Sequence, residues 1–277
     1  MGMRIATNIG SINAQKNLYL TGIAQQKSMA KLASGFRINT AADDAAGLAI
    51  SENLKAQIRG MRQANRNTND GISLVQVAEG GLNEVSSMLI RLRELSVQAA
   101  SDTVGNQERA FIDVEFQQLK SEIQRISDTT NFNGTNLLNG TGGVLDIQVG
   151  LNNNPMNDRL SFDAGAADSS AAALGILAET TLNKQSAQQS LSVLDNAITS
   201  VNAMRANFGA LQNRLISTSN NLLVADENLS AANSRIRDAD IASETSEMMR
   251  TNILMQAGVS VLGQANQTQQ LALKLLG

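Results

Sequence analysis

Apolar residues recur at helical spacing at both ends of the chain, whereas the middle is irregular and rich in Gly and Asn. Steps that alternate between three and four place side chains on one helix face, the spacing that coiled-coil packing uses. One stripe runs from Leu54 to Leu92 and the other from Leu191 to Ile236. A helix over residues 54–99 would be about 65–70 Å long at ~1.5 Å per residue. The two arms must therefore pair with each other, with other copies, or with both.

The N-terminal arm is predicted to hold two helices. The first covers residues 3–34 and is interrupted at Ser34-Gly35. Thr40 then has the character of an N-cap, with Asp43 completing a capping box. The second helix is expected from about residue 43 to 100. Its internal glycines each cost about 1 kcal/mol of helix propensity, and they mark either a close approach of another backbone or a slight bend.

Three further helices are predicted. An apolar stripe that includes Ile112, Phe116 and Ile123 indicates a helix of about twenty residues, which folds back on the second helix. A long C-terminal helix is expected over about 182–238, and the last helix over about 241–276.

The middle of the chain predicts β structure. Asn-Gly pairs in the stretch 131–140 favour turns with positive φ. Alternating apolar residues predict a β-hairpin over about 143–163, and residues 164–181 are expected to form a short loop whose first part is exposed. The fold class is therefore mainly α: a long antiparallel helical bundle or coiled coil formed by the N- and C-terminal arms, with a small β-hairpin region in the middle.

Composition argues against catalysis. The chain has no His, no Cys and no Trp, so the commonest general base, the thiol nucleophile and the usual transition-metal ligands are missing. Asp43 and Asp44 are adjacent carboxylates, but acids are favoured in the first turn of a helix. We therefore expect no catalytic, cofactor-binding or metal-binding residues, and no cofactor.

Charge is uneven along the chain. Residues 1–66 carry nine Lys/Arg and three Asp/Glu, a net +6, so the rest carries −9 of the total −3. This is either scatter over solvated faces or a basic N-terminal arm lying beside an acidic C-terminal one. With a net charge of −3, the chain has no overall positive charge that would attract nucleic acid. The charge-free run 251–273 contains too many Asn and Gln for a membrane span, and residues 1–25 do not have the pattern of a secretory signal peptide.

Several long blocks resemble bacterial flagellin. Residues 32–51 (LASGFRINTAADDAAGLAIS) are similar to the N-terminal signature, and residues 91–100 (RLRELSVQAA) and 131–139 (NFNGTNLLN) to the blocks that follow. Residues 234–245 (SRIRDADIASET) and 256–267 (QAGVSVLGQANQ) are similar to the C-terminal blocks. The resemblance covers residues 1–150 and 182–277 in family order, and long blocks like these are highly specific.

The resemblance implies a structural subunit that is secreted and self-assembles into the extracellular helical flagellar filament for motility. It implies an inner coiled-coil domain of residues 1–44 and 237–277, a helical-bundle domain of residues 45–236, and no large outer domain. The implied partners are other copies of the chain, the flagellar export apparatus, a secretion chaperone and the filament cap. Neither nucleic acid nor membrane insertion is implied.

Two sets of site residues follow. By resemblance, the host innate flagellin receptor would recognise the monomer at Arg91, Leu95 and Glu115, grouped on one exposed helical surface. Helical spacing in the terminal arms predicts polymer contacts at Ile5, Ile9, Ile12, Met255, Val259, Leu262, Leu273 and Leu276.

Three alternatives are considered. A hook–filament junction protein has similar ends but matches the central blocks less well. A flagellin carrying a protease insert would need His ligands for zinc, which this chain does not have. A free coiled-coil adhesin or effector is the third, and imaging after seeded polymerisation separates it from a filament subunit.

Overall fold

The computed structural model describes residues 7–274, with the side chains of 269 and 271–274 outside that description. Over these residues five helices carry the fold, in agreement with the prediction from spacing. They are α1 (Ile9–Ser34), α2 (Ala45–Ala99), α3 (Asn106–Thr129), α4 (Lys184–Arg237) and α5 (Ile241–Lys274). Four short strands lie between α3 and α4: β1 (Asn131–Phe132), β2 (Thr135–Asn136), β3 (Val144–Gln148) and β4 (Arg159–Asp163).

The chain divides into two compact units. Unit 1 consists of residues 1–58 and 227–277, and unit 2 of residues 59–226. The boundaries between the two units lie inside α2 and α4. The sequence analysis predicts domain boundaries at the helix breaks near residues 44 and 237. The functional assignment of those two domains stays a prediction.

In unit 1, α1 and α5 pack as an antiparallel pair. Asn8 at the start of α1 contacts Ala265, and Lys31 near its end contacts Glu244. The segment that ends α1 and the segment that precedes α5 are also hydrogen-bonded to each other. Gly35 ends α1 in the left-handed conformation, with φ of 74°, and its carbonyl accepts a hydrogen bond from the Ala239 N–H at 2.9 Å.

The start of α2 differs from the sequence prediction. The Asp44 carboxylate accepts the Gly47 N–H at 2.8 Å, so Asp44 is the N-cap and the prediction that Thr40 has this role is wrong. The Asp43 carboxylate instead accepts the Thr40 N–H at 3.0 Å and closes the preceding turn. That backbone bond, followed by the Thr40 hydroxyl, lowers the pKa of Asp43.

Unit 2 has a continuous apolar core. The stripes of α2, α3 and α4 meet there, with α3 and α4 both antiparallel to α2. Arg91 pairs with Glu115 and Arg109 with the Ala99 carbonyl, while Arg93 pairs with Asp195 and Arg62 with Asp226. The largest buried side chains include Leu82, Leu89, Leu92, Phe116, Phe162, Leu194 and Ile176. Burial of this apolar surface is the main stabilising term.

Both predicted β features are present. Asn133 and Gly134 have φ of 50° and 80°, so the Asn-Gly turn between β1 and β2 has the expected positive φ. Strands β3 and β4 pair antiparallel, with Leu145 opposite Phe162 and Ile147 opposite Leu160.

Two glycines of α2, Gly71 and Gly81, mark close approach by side chains rather than by another backbone. A Cβ at Gly71 would lie 2.6 Å from the Ile147 Cδ1, and one at Gly81 would lie 2.7 Å from the Leu138 Cδ1. Because these two positions carry no side chain, Ile147 and Leu138 pack directly against α2.

The segment after β4 is not an exposed connection, and that expectation is wrong. Ala164, Ala171 and Ile176 are buried, and the Ser169 N–H donates to the Leu138 carbonyl at 2.8 Å. Its small side chains let its backbone lie directly on the core, where low-complexity composition had suggested a solvated linker.

Candidate functional site

The contact between α1 and α5 is made mainly by small and polar residues. The least exposed positions of each helix follow steps of three and four, as in a coiled coil. We call this contact the seam; it contains Ser11, Ala14, Leu18, Thr21, Gln25, Ser28 and Leu32 of α1, and Glu244, Met248, Thr251, Met255, Gly258, Leu262 and Ala265 of α5.

Hydrogen bonds cross the seam along its length. The Gln25 side-chain amide donates to the Asn252 side-chain carbonyl, and Asn8 Nδ2 donates to the Ala265 carbonyl at 3.0 Å. At Gly258 the helices come so close that a Cβ would lie 2.8 Å from the Leu18 Cδ1. The seam thus fixes register, but it buries few large apolar side chains.

Many large apolar side chains of the same two helices lie outside the seam and are exposed. Tyr19 is 70% exposed and Ile253 is 66% exposed. The full set, the exposed arm stripe, is Ile9, Ile12, Tyr19, Leu20, Ile23, Met29, Ile241, Met249, Ile253, Leu254, Val259 and Val261. Exposing this many large apolar side chains on two paired helices is typical of a surface that contacts other protein chains.

The predicted polymer contacts separate into groups. Ile9, Ile12 and Val259 are exposed and belong to the exposed arm stripe. Met255 and Leu262 are half-buried, and they lie three residues before and four after Gly258, on the face toward α1. The single α5 face proposed from sequence therefore mixes positions that face α1 with positions that face outward.

Three predicted contacts cannot be placed. Ile5 and Leu276 lie outside the residues that the structure describes, and so does the side chain of Leu273.

A second exposed surface lies in unit 2 on α2 and α3. The Arg91 guanidinium donates to Glu115 Oε1 at 2.8 Å and to Glu94 Oε2 at 3.1 Å, and both Arg91 and Glu115 are about half exposed, at 49% and 47%. The hydrogen bonds from Arg91, first to Glu115 and then to Glu94, raise its pKa. The predicted pairing of these two helices is confirmed.

Leu95 does not lie on that surface. It is only 2% exposed and belongs to the core of unit 2, so the expectation of an exposed Leu95 beside Arg91 is wrong. The helix turns by about 100° per residue, and the four-residue step from Arg91 brings Leu95 to the inner edge of the stripe.

The exposed apolar residues near Arg91 are different ones. Ile90 and Val97 of α2, and Phe111 and Val114 of α3, are 50%, 51%, 68% and 62% exposed. Phe111 and Val114 fall between the core positions of α3, and this off-stripe placement was the available signal in the sequence.

Sequence reasoning also missed three charged residues inside unit 2. The Arg109 Nε and Nη2 donate to the carbonyls of Ala99 and Ser101, at 2.8 and 2.9 Å. Lys120 Nζ donates to the carbonyls of Leu177 and Glu179, at 2.8 and 2.7 Å. These side chains hold the ends of the connecting segments.

Asp113 is the carboxylate of this group. Its Oδ1 accepts the Thr181 N–H at 2.7 Å and the Thr180 hydroxyl at 2.8 Å. Burial would raise the pKa of Asp113, but these hydrogen bonds outweigh it and lower the pKa. For Lys120, burial lowers the pKa, opposed by Asp113 and Glu179. All three residues stabilise loops rather than form a reactive centre.

Within residues 7–274 there is no cluster of carboxylates suited to hold a metal ion.

Among the described helices, none combines the length and hydropathy that crossing a bilayer requires.

The fold and these surfaces define a class: a helical structural protein whose paired terminal arms expose large apolar side chains. The family model described as the bacterial flagellin N-terminal helical region matches residues 5–142, and the one for the C-terminal helical region matches residues 191–276.

Individual relatives agree. The chain is 48% identical over 274 residues to a flagellin of Halalkalibacterium halodurans, covering 99% of this chain and 100% of that protein. It is 44% identical over 305 residues to a flagellin of Bacillus subtilis, at 99% and 100% coverage. The crystal structure of Bacillus cereus flagellin is similar, with a TM-score of 0.51 and 33% identity over 57% of this chain and 88% of that one.

The chain belongs to the bacterial flagellins. It is a structural subunit of the flagellar filament, in a family that self-assembles and whose filaments are extracellular. The prediction of a short-form flagellin with a mainly helical fold is confirmed. Nothing favours the hook–filament junction protein or the free adhesin.

Proposed function

We propose that the exposed arm stripe of unit 1 is the surface through which subunits polymerise. The observation that carries this proposal is the distribution of side chains in the α1–α5 pair: the seam is made mainly of small and polar residues, whereas the large apolar residues of the exposed arm stripe lie outside it. Burying the stripe against neighbouring copies would supply the hydrophobic stabilisation that the seam does not provide.

Composition of the stripe supports a protein partner. Residues 251–273 contain no charge and many Gln and Asn side chains. In a contact between subunits these amides can find hydrogen-bond partners, whereas a lipid environment would leave them unsatisfied.

The test is seeded polymerisation of Ile253→Asp. Because Ile253 is 66% exposed and outside the seam, the substitution leaves the monomer intact but places an unpaired charge in the contact. We expect the critical concentration to rise by about 100-fold or more. Ile253→Val, which keeps the apolar surface, should polymerise normally.

Circular dichroism of both variants provides the control for folding. The thermal unfolding of Ile253→Asp monomer should match that of the wild type. Normal filaments from Ile253→Asp would overturn the assignment of this stripe. Leu262 is a poorer choice of position, since its half-buried side chain lies in the seam.

Family membership supports the proposal of three further partners. Secretion would proceed through the flagellar export apparatus with a secretion chaperone, and the filament cap would guide assembly. Co-purification of the chain with each component from cells tests these contacts one by one.

Recognition of the monomer by the host innate flagellin receptor is also proposed, at the α2–α3 surface around Arg91 and Glu115. The support is their exposed, paired geometry, since Arg is a frequent anchor of interfaces. Arg91→Ala with Glu115→Ala should remove most activity in a receptor reporter assay. A silent wild-type monomer would exclude this role. Leu95 is unsuitable for the test because its truncation would damage the core.

A further inference from the structure

Two Asn-Gly pairs occur in the chain, and each is followed by Thr, at residues 133–135 and 139–141. An Asn-Gly pair is prone to lose the side-chain amide, because glycine has no side chain to shield its backbone nitrogen from the preceding Asn. The two local sequences are nearly the same. A difference in reactivity between the pairs would therefore come from the fold, and the structure places them in contrasting surroundings.

Asn133 lies at the tip of the β1–β2 turn with few restraints. Its φ of 50° is in the left-handed region, which residues with a side chain occupy at a cost in energy. Asn133 is exposed, and its side chain makes no hydrogen bond within the part of the chain that the structure describes. Gly134 is equally open, since a Cβ built there would meet nothing within 4 Å. The side-chain carbonyl and the backbone nitrogen that would react are therefore both accessible.

The strands that carry this turn are short. Strands β1 and β2 have two residues each and pair antiparallel through two residue pairs. A two-stranded hairpin of this size is marginally stable by itself, and segments with so few backbone hydrogen bonds open locally at little cost in free energy. Opening lets the backbone rotate between Asn133 and Gly134, so that the Gly134 nitrogen can approach the side-chain carbonyl carbon of Asn133.

Asn139 is held in place on both sides of the bond that would react. The Thr141 hydroxyl donates to the Asn139 Oδ1 at 2.6 Å, and the Thr141 N–H donates to the same oxygen at 3.1 Å. Gly140 packs against the segment after β4, since a Cβ there would lie 2.9 Å from the Asp168 Oδ2. Ring closure at Asn139 would have to break these contacts first.

We propose that Asn133 is a site of spontaneous deamidation in the folded chain and that the fold protects Asn139. The Gly134 backbone nitrogen loses its proton to hydroxide and attacks the Asn133 Cγ. The bond from Cγ to the side-chain nitrogen breaks, and the nitrogen takes up a proton and leaves as ammonia, which gives a cyclic imide. Water then opens the imide at either carbonyl to form aspartate or isoaspartate. In total one water is consumed and one ammonia is released.

The product adds charge to a surface that is already acidic. Asn133 lines a cavity of about 360 Å³ together with Asp70 of α2 and Asp146 of β3. Asp146 has Arg159 as its cationic neighbour, at 3.9 Å. Deamidation places a further carboxylate beside these two and changes the formal charge of the chain from −3 to −4. Isoaspartate also lengthens the backbone by one carbon atom, which a two-residue turn accommodates only by changing its shape.

Peptide mapping by mass spectrometry tests the proposal on the full-length monomer, incubated in warm, mildly alkaline buffer. We expect deamidation at Asn133 to be at least about tenfold faster than at Asn139. Labelling with an isoaspartate methyltransferase identifies the isoaspartate fraction of the product. Equal rates at the two positions, or a faster rate at Asn139, would overturn the proposal. The measurement uses monomer, so its outcome is independent of polymerisation and of the proposed function.

The unfolded chain is the control for local sequence. In concentrated urea both Asn-Gly-Thr segments lose their structural surroundings, so the two rates of deamidation should become similar. A preference for Asn133 that persists unchanged in urea would show that sequence rather than fold selects this residue, and it would contradict the protection assigned to Asn139.

A pair of matched variants tests the protection itself. Thr141→Val removes the hydroxyl that donates to Asn139 and should raise the rate of deamidation at Asn139 about threefold or more. Thr135→Val makes the same change two residues after Asn133, where the hydroxyl has no hydrogen bond to the Asn133 side chain. It should leave the rate at Asn133 unchanged. A rate at Asn139 that does not respond to Thr141→Val would overturn the protective role of that hydrogen bond.

Discussion

The two units of this flagellin use the same spacing of residues for opposite purposes. In unit 2 the positions that face inward are large and apolar, and Leu82, Leu92 and Phe116 are fully buried. In unit 1 the inward positions are mainly small or polar, and large residues such as Tyr19 and Ile253 face outward. We therefore expect unit 2 to be stable in the monomer and unit 1 to depend on neighbouring subunits for its stability.

The largest expected effect tests that contrast directly. Phe116→Ala removes a fully buried ring from unit 2 and should lower the free energy of unfolding of the monomer by about 3–5 kcal/mol. Tyr19→Ala, at a position 70% exposed in unit 1, should change it by less than about 0.5 kcal/mol. Urea unfolding of the monomer, monitored by circular dichroism, measures the free energy of unfolding of both variants. Equal losses in the two variants would contradict the proposed difference between the units.

A buried charge in the segment after β4 comes next. Ala171 is 2% exposed, so Ala171→Asp should lower the free energy of unfolding by about 2–4 kcal/mol. Its neighbour Ala172 is exposed, and Ala172→Asp should be close to neutral. Equal thermal stability of the two variants would restore the idea that this segment is a solvated linker.

Asp113 should make unit 2 sensitive to acid. Its pKa is lowered in the folded state, so its contribution is fully present above the unfolded pKa of about 3.9 and is lost as pH falls through the folded value. Asp113→Asn should cost about 1–2 kcal/mol at neutral pH, and the difference from wild type should shrink below about pH 4. A difference that does not vary with pH would exclude this linkage. Asp128→Asn, at an exposed position of the same helix, is the control.

The smallest effect distinguishes two adjacent glycines. At Gly81 a Cβ would lie 2.7 Å from the Leu138 Cδ1 and 2.8 Å from the Thr130 Oγ1, whereas at Gly80 nothing lies within 4 Å. Gly80→Ala should stabilise unit 2 by about 0.5–1 kcal/mol through helix propensity. Gly81→Ala should lose that gain to steric strain. Thermal unfolding of the two variants under the same conditions measures this difference in stability. If both substitutions stabilised unit 2, the Leu138 side chain would have to move aside without cost.

Periodicity predicted most of the secondary structure because it depends on local spacing. The α1 interruption at Gly35, the long α2, the return helix α3 and the β3–β4 hairpin all follow from patterns within a few residues. The N-cap of α2 was misplaced because Asp43 and Asp44 are both able to cap, and only the geometry shows that Asp44 faces Gly47.

Burial was harder to predict than helicity. Leu95 and Phe111 are both apolar residues on helices that pack together, yet one is in the core and the other is 68% exposed. A rotation of one helix by a few tens of degrees exchanges such positions. The same holds for Met255 and Val259, which sequence spacing had placed on one face.

The sequence by itself determined the family, through long blocks in order, and the helical class, through apolar spacing. It also made metal and thiol chemistry improbable, because no His or Cys is present. Only the tertiary structure decided that small and polar residues predominate in the α1–α5 seam and that Ala164 and Ala171 are buried. It also decided that Arg109, Asp113 and Lys120 hold the loops. These features depend on which helix face meets which neighbour. That choice is made by contacts between residues far apart in the chain, which no local pattern records.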